Sequence, residues 1–335
     1  MPHTNRRVFI KQYREGMPRP EDFGIEDCTI AEVPAGHVVV KVDTLSMDAW
    51  IRTTLTPGSF HATAGLGSTI RALGVGQVVE SASDVLAVGD WVFGLLSAQT
   101  HALLPDAGLT KLDLSNSLQP RDFVGPLGVT TGLTAWVGLI AVADVQAGDV
   151  VLVSGAAGGV GSMVVQLAKA RGAKVIGLAG GPEKCRFLTE TLGADVAIDY
   201  KNAQVAADLA KAAPGGIDVF FDNVGGELLD IALDHLAPAG ARVAICGAIS
   251  QYGDLNDVRG PKLYLRLAER NAMMKGFVVS HYAARYPEAT AEIAGLMREG
   301  KITLPEHVVE GIDHFAEALF VLFAGGHTGN LLVRP

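Results

Sequence analysis

At 335 residues the chain is long enough for two domains of about 150 residues each. Hydrophobic residues make up 49% and charged residues 19%, which excludes a disordered chain and allows a sizeable core. A net charge of −9 with no long basic run argues against a general nucleic-acid binder, and three scattered cysteines (Cys28, Cys185 and Cys246) exclude a disulfide framework or a four-cysteine zinc module.

The N-terminal stretch MPHTNRRVFIKQYREG lacks the apolar core of a secretory signal. The apolar stretch VGLIAVADVQAGDVVLVSG is broken by Asp144, Gln146 and Asp149, so it does not read as a membrane span. The expectation is a soluble cytoplasmic protein with reduced thiols. The first third then carries short β-branched runs bounded by Gly or Asp: GHVVVKVDTLSMD, GVGQVVES and GDWVFGLL. These predict a mostly β module, with a turn at 88–90 ahead of a strand. From about residue 128 the pattern changes. TGLTAWVGLIAVADV has helical length, and DVVLVSG reads as a buried strand feeding the helix GSMVVQLAKARG. Strands AKVIGLAG, DVAIDY, IDVFFDNVG and ARVAICG then alternate with helices PEKCRFLTETLG, AQVAADLAKAA and ELLDIALDHLA. That alternation predicts a doubly wound parallel sheet, a Rossmann domain spanning 127–302. LYLRLAERNAMM looks helical, and YPEATAEIAGLMREGK is a further helix. The closing run NLLVRP is expected to return to the β module, so that 303–335 complete the domain begun by 1–126.

The run VLVSGAAGGVGS joins the first parallel strand to its helix. Small residues allow a tight turn and let backbone N–H groups approach a pyrophosphate, and Gly161 allows close helix–strand packing. The helix N-terminus adds partial positive charge. The end of the second strand chooses between cofactors. NAD sites place an acid there for the ribose hydroxyls, whereas a 2′-phosphate requires a cation. This chain offers Gly180 and Gly181, whose N–H groups can form an anion-binding loop, and then Lys184 in the first turn of the next helix. The predicted cofactor is therefore NADPH, with Glu183 as the one nearby acid that would oppose it.

With these residues the chain resembles the zinc-independent medium-chain dehydrogenase/reductase superfamily, in its prostaglandin reductase/leukotriene B4 dehydrogenase branch with the plant double-bond reductases and bacterial curcumin-reductase-like enzymes. The passages carrying the resemblance are LSMDAWIR, GVGQVVES, GLTAWVGL, GAAGGVGSMVVQLAK, GGPEKCRFL, DYKN, FDNVGGE, CGAISQY and KGFVVSHY. The resemblance implies a GroES-like β domain beside the Rossmann domain, a homodimer, and NADPH-dependent, metal-free reduction of the C=C bond of α,β-unsaturated ketones and aldehydes. It also implies that Gly158, Gly159, Val160 and Gly161 hold the pyrophosphate and that Lys184 and Tyr200 hold the 2′-phosphate. Asn223, the loop residues Cys246, Gly247, Ala248, Ile249, Ser250 and Tyr252, and the run Phe277, Val278 and Val279 would line the cofactor. The chain departs from the family's aromatic stretch after GDWVFG, where LLSAQTHALL stands, and carries His327 and Asn330 where asparagine and lysine are frequent.

Hydride delivery to the β-carbon of an enone develops negative charge on the carbonyl oxygen, so the site needs a hydrogen-bond donor there and a proton source for the α-carbon. Tyr252, just past a strand's carboxyl end, is the candidate; the cofactor ribose hydroxyl can share the role, and packing alone is the competing explanation. Tyr264 is the second candidate. Zinc chemistry would need clustered Cys, His or carboxylate ligands. LSMDAW offers only Asp48, read with Arg52 as a structural ion pair or turn, and His61, His101, His281 and His327 read as surface or loop residues. Asp222 reads as a loop brace, Cys185 as buried against the sheet, and Cys246 as a space-filler. A quinone reductase on the same fold and a non-catalytic NADPH-binding protein remain the alternatives.

Overall fold

The computed structural model describes residues 2–57, 61–202, 204–254 and 257–335. They form two compact units, one of 1–125 with 306–335 and the other of 126–305.

The first unit is built on strands. His3–Ile10 pairs antiparallel with Phe23–Ile30. A second sheet runs in the order Glu306–Glu310, Asn330–Arg334, His37–Ser46, Gly74–Ser81, Trp91–Gly94 and Leu109–Lys111, with His101–Pro105 also pairing on His37–Ser46. The C-terminal strand thus returns to the β module, as its sequence predicts. Val38, Val40, Leu45, Leu96, Phe315, Leu331 and Val333 are buried in one core, each such side chain contributing about 1.5–3 kcal/mol. Gly89 has φ +96° and opens the strand Trp91–Gly94, so the turn at 88–90 is where it was expected. The divergent LLSAQTHALL turns at Ser97, a non-glycine residue with φ +62°. Gln99 fixes this turn, donating to the Leu96 carbonyl (2.7 Å) and accepting from Asn5 (2.8 Å).

Asp22 closes the Arg14 loop of this unit. It accepts from Arg14 Nε (2.7 Å), Gln12 Nε2 (2.6 Å) and the backbone N–H of Arg19 (2.7 Å). Burial alone would raise its pKa, but these donors win and hold it at about 2, against 3.8 for a free side chain. A depressed carboxyl stabilises the fold above its unfolded pKa and ceases to do so as pH falls through its folded value. Wild-type stability in urea is therefore expected to decline between about pH 4 and pH 2. Asp22→Asn should be less stable near neutral pH and should flatten that acid limb; an unchanged limb would rule this linkage out.

The second unit holds six parallel strands in the order Val196–Asp199, Lys174–Ala179, Val150–Val153, Val219–Asp222, Arg242–Ile245 and Met273–Gly276. This is the doubly wound order in which the strand sequence reverses between the first and fourth strands, and ligands bind at the carboxyl ends beside that reversal. Two predicted helices change character along their length. Gly132–Trp136 continues as a π-helix over Val137–Val142, and Pro182–Arg186 continues as one over Phe187–Thr191. The expected helix over LYLRLAERNAMM shrinks to Leu265–Glu269, because its last two residues, Met273 and Met274, open the sixth strand, Met273–Gly276. Among the described residues no helix is long and apolar enough to cross a membrane.

Candidate cofactor site

The strand Val150–Val153 passes through Ser154 and Gly155 (φ +59°) straight into the helix Gly159–Ala170, whose first amides have no carbonyl one turn back to bond. A Cβ on Gly161 would lie 2.3 Å from the Gly155 carbonyl oxygen and 2.7 Å from Ala156 Cα. Turn and helix therefore touch backbone to backbone. At Gly158 the nearest atom to such a Cβ is the Gly155 oxygen at 3.5 Å, and φ is −85°. The fold itself would accept a side chain at Gly158. A phosphate at this helix N-terminus would need open approach to the amides of Gly159 and Val160.

Behind this turn a hydrogen-bonded brace locks the first and fourth strand ends together. The Ser154 hydroxyl donates to Asp222 Oδ1 (2.7 Å) and accepts from the Asn223 backbone N–H (2.9 Å), while Asn223 Nδ2 donates to the Ser154 carbonyl (2.7 Å). Asp222 also accepts the N–H groups of Val224 (2.9 Å) and Gly225 (3.0 Å). Burial pushes its carboxyl up, against the opposing pull of those N–H donors and of Ser154. Asp222 is a brace, as its position suggested. Asn223 is a brace as well: its side-chain amide is committed to Ser154. The loop with Cys246 and Gly247 is tied on by N–H bonds from both to the Asp222 carbonyl, and Ile249 and Ser250 donate to Asn223 and Val224 carbonyls. Ser154 is the member of this brace that sequence reasoning missed; its only signal was a hydroxyl directly after a buried strand.

The end of the second strand is more crowded than its glycine pair implied. A Cβ on Gly180 would lie 2.8 Å from Tyr200 Oη and 2.9 Å from Lys201 Cε, so ring and lysine stem close over this glycine. Burial, and then the nearby Lys201 ammonium, pushes the Lys184 ammonium below the ordinary lysine value. Neither lysine forms an ion pair with a described carboxylate, and Glu183 is exposed. Lys201 and Asp199 join the predicted Lys184 and Tyr200. One expectation is narrowed: of the amides of Gly180 and Gly181, that of Gly181 donates to Asp199 Oδ1 at 2.8 Å and is not free for an anion. The positive charge here comes from side chains, not from that amide.

Tyr252 follows the short helical turn Ile249–Gln251. Its hydroxyl oxygen accepts the Ala248 N–H at 3.3 Å and lies over Gly247. Burial pushes its phenol above the ordinary tyrosine value. The Cys246 thiol is pushed up to about 12 by burial and then Asp222, which makes it inert at neutral pH. Phe277 packs edge-on against Phe221, with ring centroids 6.3 Å apart; Val278 is exposed, and Val279 starts the next helical turn. Tyr264 is 57% exposed. Two histidine expectations are corrected: His327 is buried, and His101 lies in a strand, stacked on His3 at 5.7 Å. His281 is exposed, and His61 bonds Thr53. Asp48 accepts from Ser46 and Trp50, while buried Arg52 donates to Thr56 and the Gly16 carbonyl. A cleft of about 600 Å³ runs along the outer edge strand, with Val196, Ile198, Asp199, Asn202 and Lys211 in its wall; Cys185 also lines it and is half-buried, not sealed against the sheet as expected.

The profile described as zinc-binding dehydrogenase matches residues 159–295, and the one described as the N-terminal domain of oxidoreductase matches 6–112. A 2-alkenal reductase (NADP(+)-dependent) of Nicotiana tabacum is 35% identical over 98% of this chain and 97% of its own. The NADPH-dependent curcumin reductase of Escherichia coli is 32% identical over 98% and 96%. The chain belongs to the medium-chain dehydrogenase/reductase superfamily, in its prostaglandin reductase-like branch. Among solved structures of this superfamily, CurA from Vibrio vulnificus in complex with NADPH superposes with a TM-score of 0.90 at 32% identity, covering 98% of each chain. Among the described residues no group of three or more His, Cys, Asp or Glu side chains could hold a metal ion.

Proposed function

We propose that this protein reduces the C=C bond of α,β-unsaturated ketones and aldehydes with NADPH, with Tyr252 as the hydrogen-bond donor to the substrate carbonyl. The chain is an NADP-dependent oxidoreductase of the medium-chain superfamily. The observation that carries the cofactor reading is the second strand's end, where the Lys201 side chain lies against Gly180 and its charge is felt by Lys184, two ammonium groups against the single carboxylate of Asp199. Two ammonium groups held together disfavour each other until an anion neutralises them, and a ribose 2′-phosphate has the charge and location to do so.

Bound NADPH supplies the hydride. The chain's own part begins at the turn, where the amides of Gly159, Val160 and Gly161 receive the pyrophosphate at the helix N-terminus. Lys184, Lys201 and Tyr200 take the 2′-phosphate. As charge builds on the substrate carbonyl oxygen, the Tyr252 hydroxyl donates a hydrogen bond to it. Its oxygen accepts the Ala248 N–H at 3.3 Å, which holds the phenol at the loop that follows the fifth strand. The raised phenol stays protonated at neutral pH, so Tyr252 serves as a donor and not as a base. The same reading carries a cytoplasmic homodimer.

The test is turnover of a panel of enones, enals and quinones with NADPH and NADH, followed by loss of cofactor absorbance. Enone turnover with NADPH is expected. Faster quinone turnover would make it a quinone reductase, and binding without any turnover a non-catalytic NADPH protein. Tyr252→Phe is expected to lower kcat by about 10–100-fold with little change in the KM for NADPH; an unchanged kcat would remove Tyr252 from the chemistry.

A further inference from the structure

We propose that Asp199 sets the cofactor discrimination of this enzyme, weakening its preference for the 2′-phosphorylated dinucleotide and giving the unphosphorylated ribose an acceptor of its own. The inference rests on the NADPH reading above and concerns how strictly that reading holds.

An NAD-type site carries its acid at the end of the second parallel strand. Here Ala179 ends that strand, and Asp199 is its register partner one strand further out. Adjacent strands lie about 4.8 Å apart, so the missing acid is displaced by one strand and remains level with the turn. It is also tied into the turn. Asp199 Oδ1 accepts the N–H of Gly181 (2.8 Å) and the N–H of Lys201 (3.0 Å). Both described bonds fall on the same oxygen, so Oδ2 is left to accept from a further donor. The two backbone N–H groups also hold the carboxyl below its usual range, so it stays charged.

The same few residues therefore present two ammonium groups and one carboxylate. A 2′-phosphate gains from Lys184 and Lys201 but is repelled by Asp199, which has also taken the Gly181 amide of the turn. A 2′-hydroxyl has no use for the second ammonium but can donate to Oδ2. Both effects of Asp199 act in one direction, toward tolerance of the unphosphorylated cofactor.

Asp199→Asn tests this, because an asparagine oxygen still accepts from Gly181 and Lys201 while the charge is lost and a donor replaces Oδ2. Calorimetric binding of 2′,5′-ADP and of 5′-AMP gives a readout without turnover. The affinity ratio in favour of 2′,5′-ADP is expected to rise about tenfold at low ionic strength. The NADPH/NADH ratio of kcat/KM should move the same way. Ratios do not depend on the fraction of folded protein, and Asp199→Ser, which keeps a hydroxyl acceptor, should shift them in the same sense. An unchanged ratio, or one moved toward 5′-AMP, overturns the role of Asp199. Lys184→Ala run in parallel separates the two levels. If it weakens 2′,5′-ADP while Asp199→Asn shifts nothing, only this inference falls. If it leaves 2′,5′-ADP untouched, the 2′-phosphate reading falls with it.

Discussion

Gly161→Ala is expected to lower stability by about 1–3 kcal/mol and to weaken NADPH binding by about 100-fold. The added methyl would lie 2.3 Å from the Gly155 oxygen and 2.7 Å from Ala156 Cα. Both obstacles are backbone, so no side chain can swing aside. Turn and helix must part by about 1 Å to restore ordinary contact, and a displacement of that size at a ligand-holding element costs about two orders of magnitude. Gly158→Ala is the matched control. Its Cβ would have 3.5 Å to the nearest atom and an ordinary φ, so its melting temperature should stay near wild type. Its methyl would still face the approach to the first helical amides, so NADPH binding alone should suffer. Thermal unfolding and fluorescence titration of NADPH distinguish the two variants. Equal losses of stability in both would mean that the Gly161 contact is not what holds the turn.

The contrast between these glycines marks what the sequence could and could not reveal. Alternating apolar strands and helices, closed by glycines such as Gly172 and Gly193, made the six-stranded parallel sheet readable, since periodicity and turn chemistry are local properties. The glycine-rich turn was readable for the same reason. Which glycine serves packing and which serves approach was not, because that depends on a carbonyl six residues earlier folding back onto the helix. The sixth strand was hidden, since Met273–Gly276 follows a helical run without a break and becomes a strand only by pairing with Arg242–Ile245. At the second strand's end, Lys184 and Tyr200 were visible. Lys201 and Asp199 were missed because they lie at and just past the end of the next strand, twenty residues on, and reach the turn only through the parallel register of Val196–Asp199. Asn223 was read as lining the cofactor, and its further role in the brace rests on a bond to Ser154 across 69 positions of chain, which no local pattern encodes.

Lys184→Ala is expected to raise the KM and Kd for NADPH by about 10–100-fold and to change those for NADH by less than about twofold, with kcat preserved for both. A charge-assisted hydrogen bond to a phosphate is worth about 1.5–3 kcal/mol, and Lys201 remains in the variant to hold part of the attraction. The pH dependence carries an independent sign. Burial and the Lys201 ammonium lower the Lys184 pKa, so in the free protein this lysine loses its proton earlier on the alkaline side than an ordinary lysine does. A bound phosphate favours the protonated form, and linkage then requires NADPH affinity to fall as pH rises through that lowered pKa. NADH affinity, with no phosphate to sense the charge, should stay level across the same range. Lys184→Ala should remove this alkaline limb for NADPH, and Lys184→Arg, whose cation does not titrate there, should flatten it while keeping most of the affinity. Equal losses for NADPH and NADH in the alanine variant would return Lys184 to the ordinary solvated surface. An alkaline limb that persisted in the arginine variant would take the titration away from Lys184.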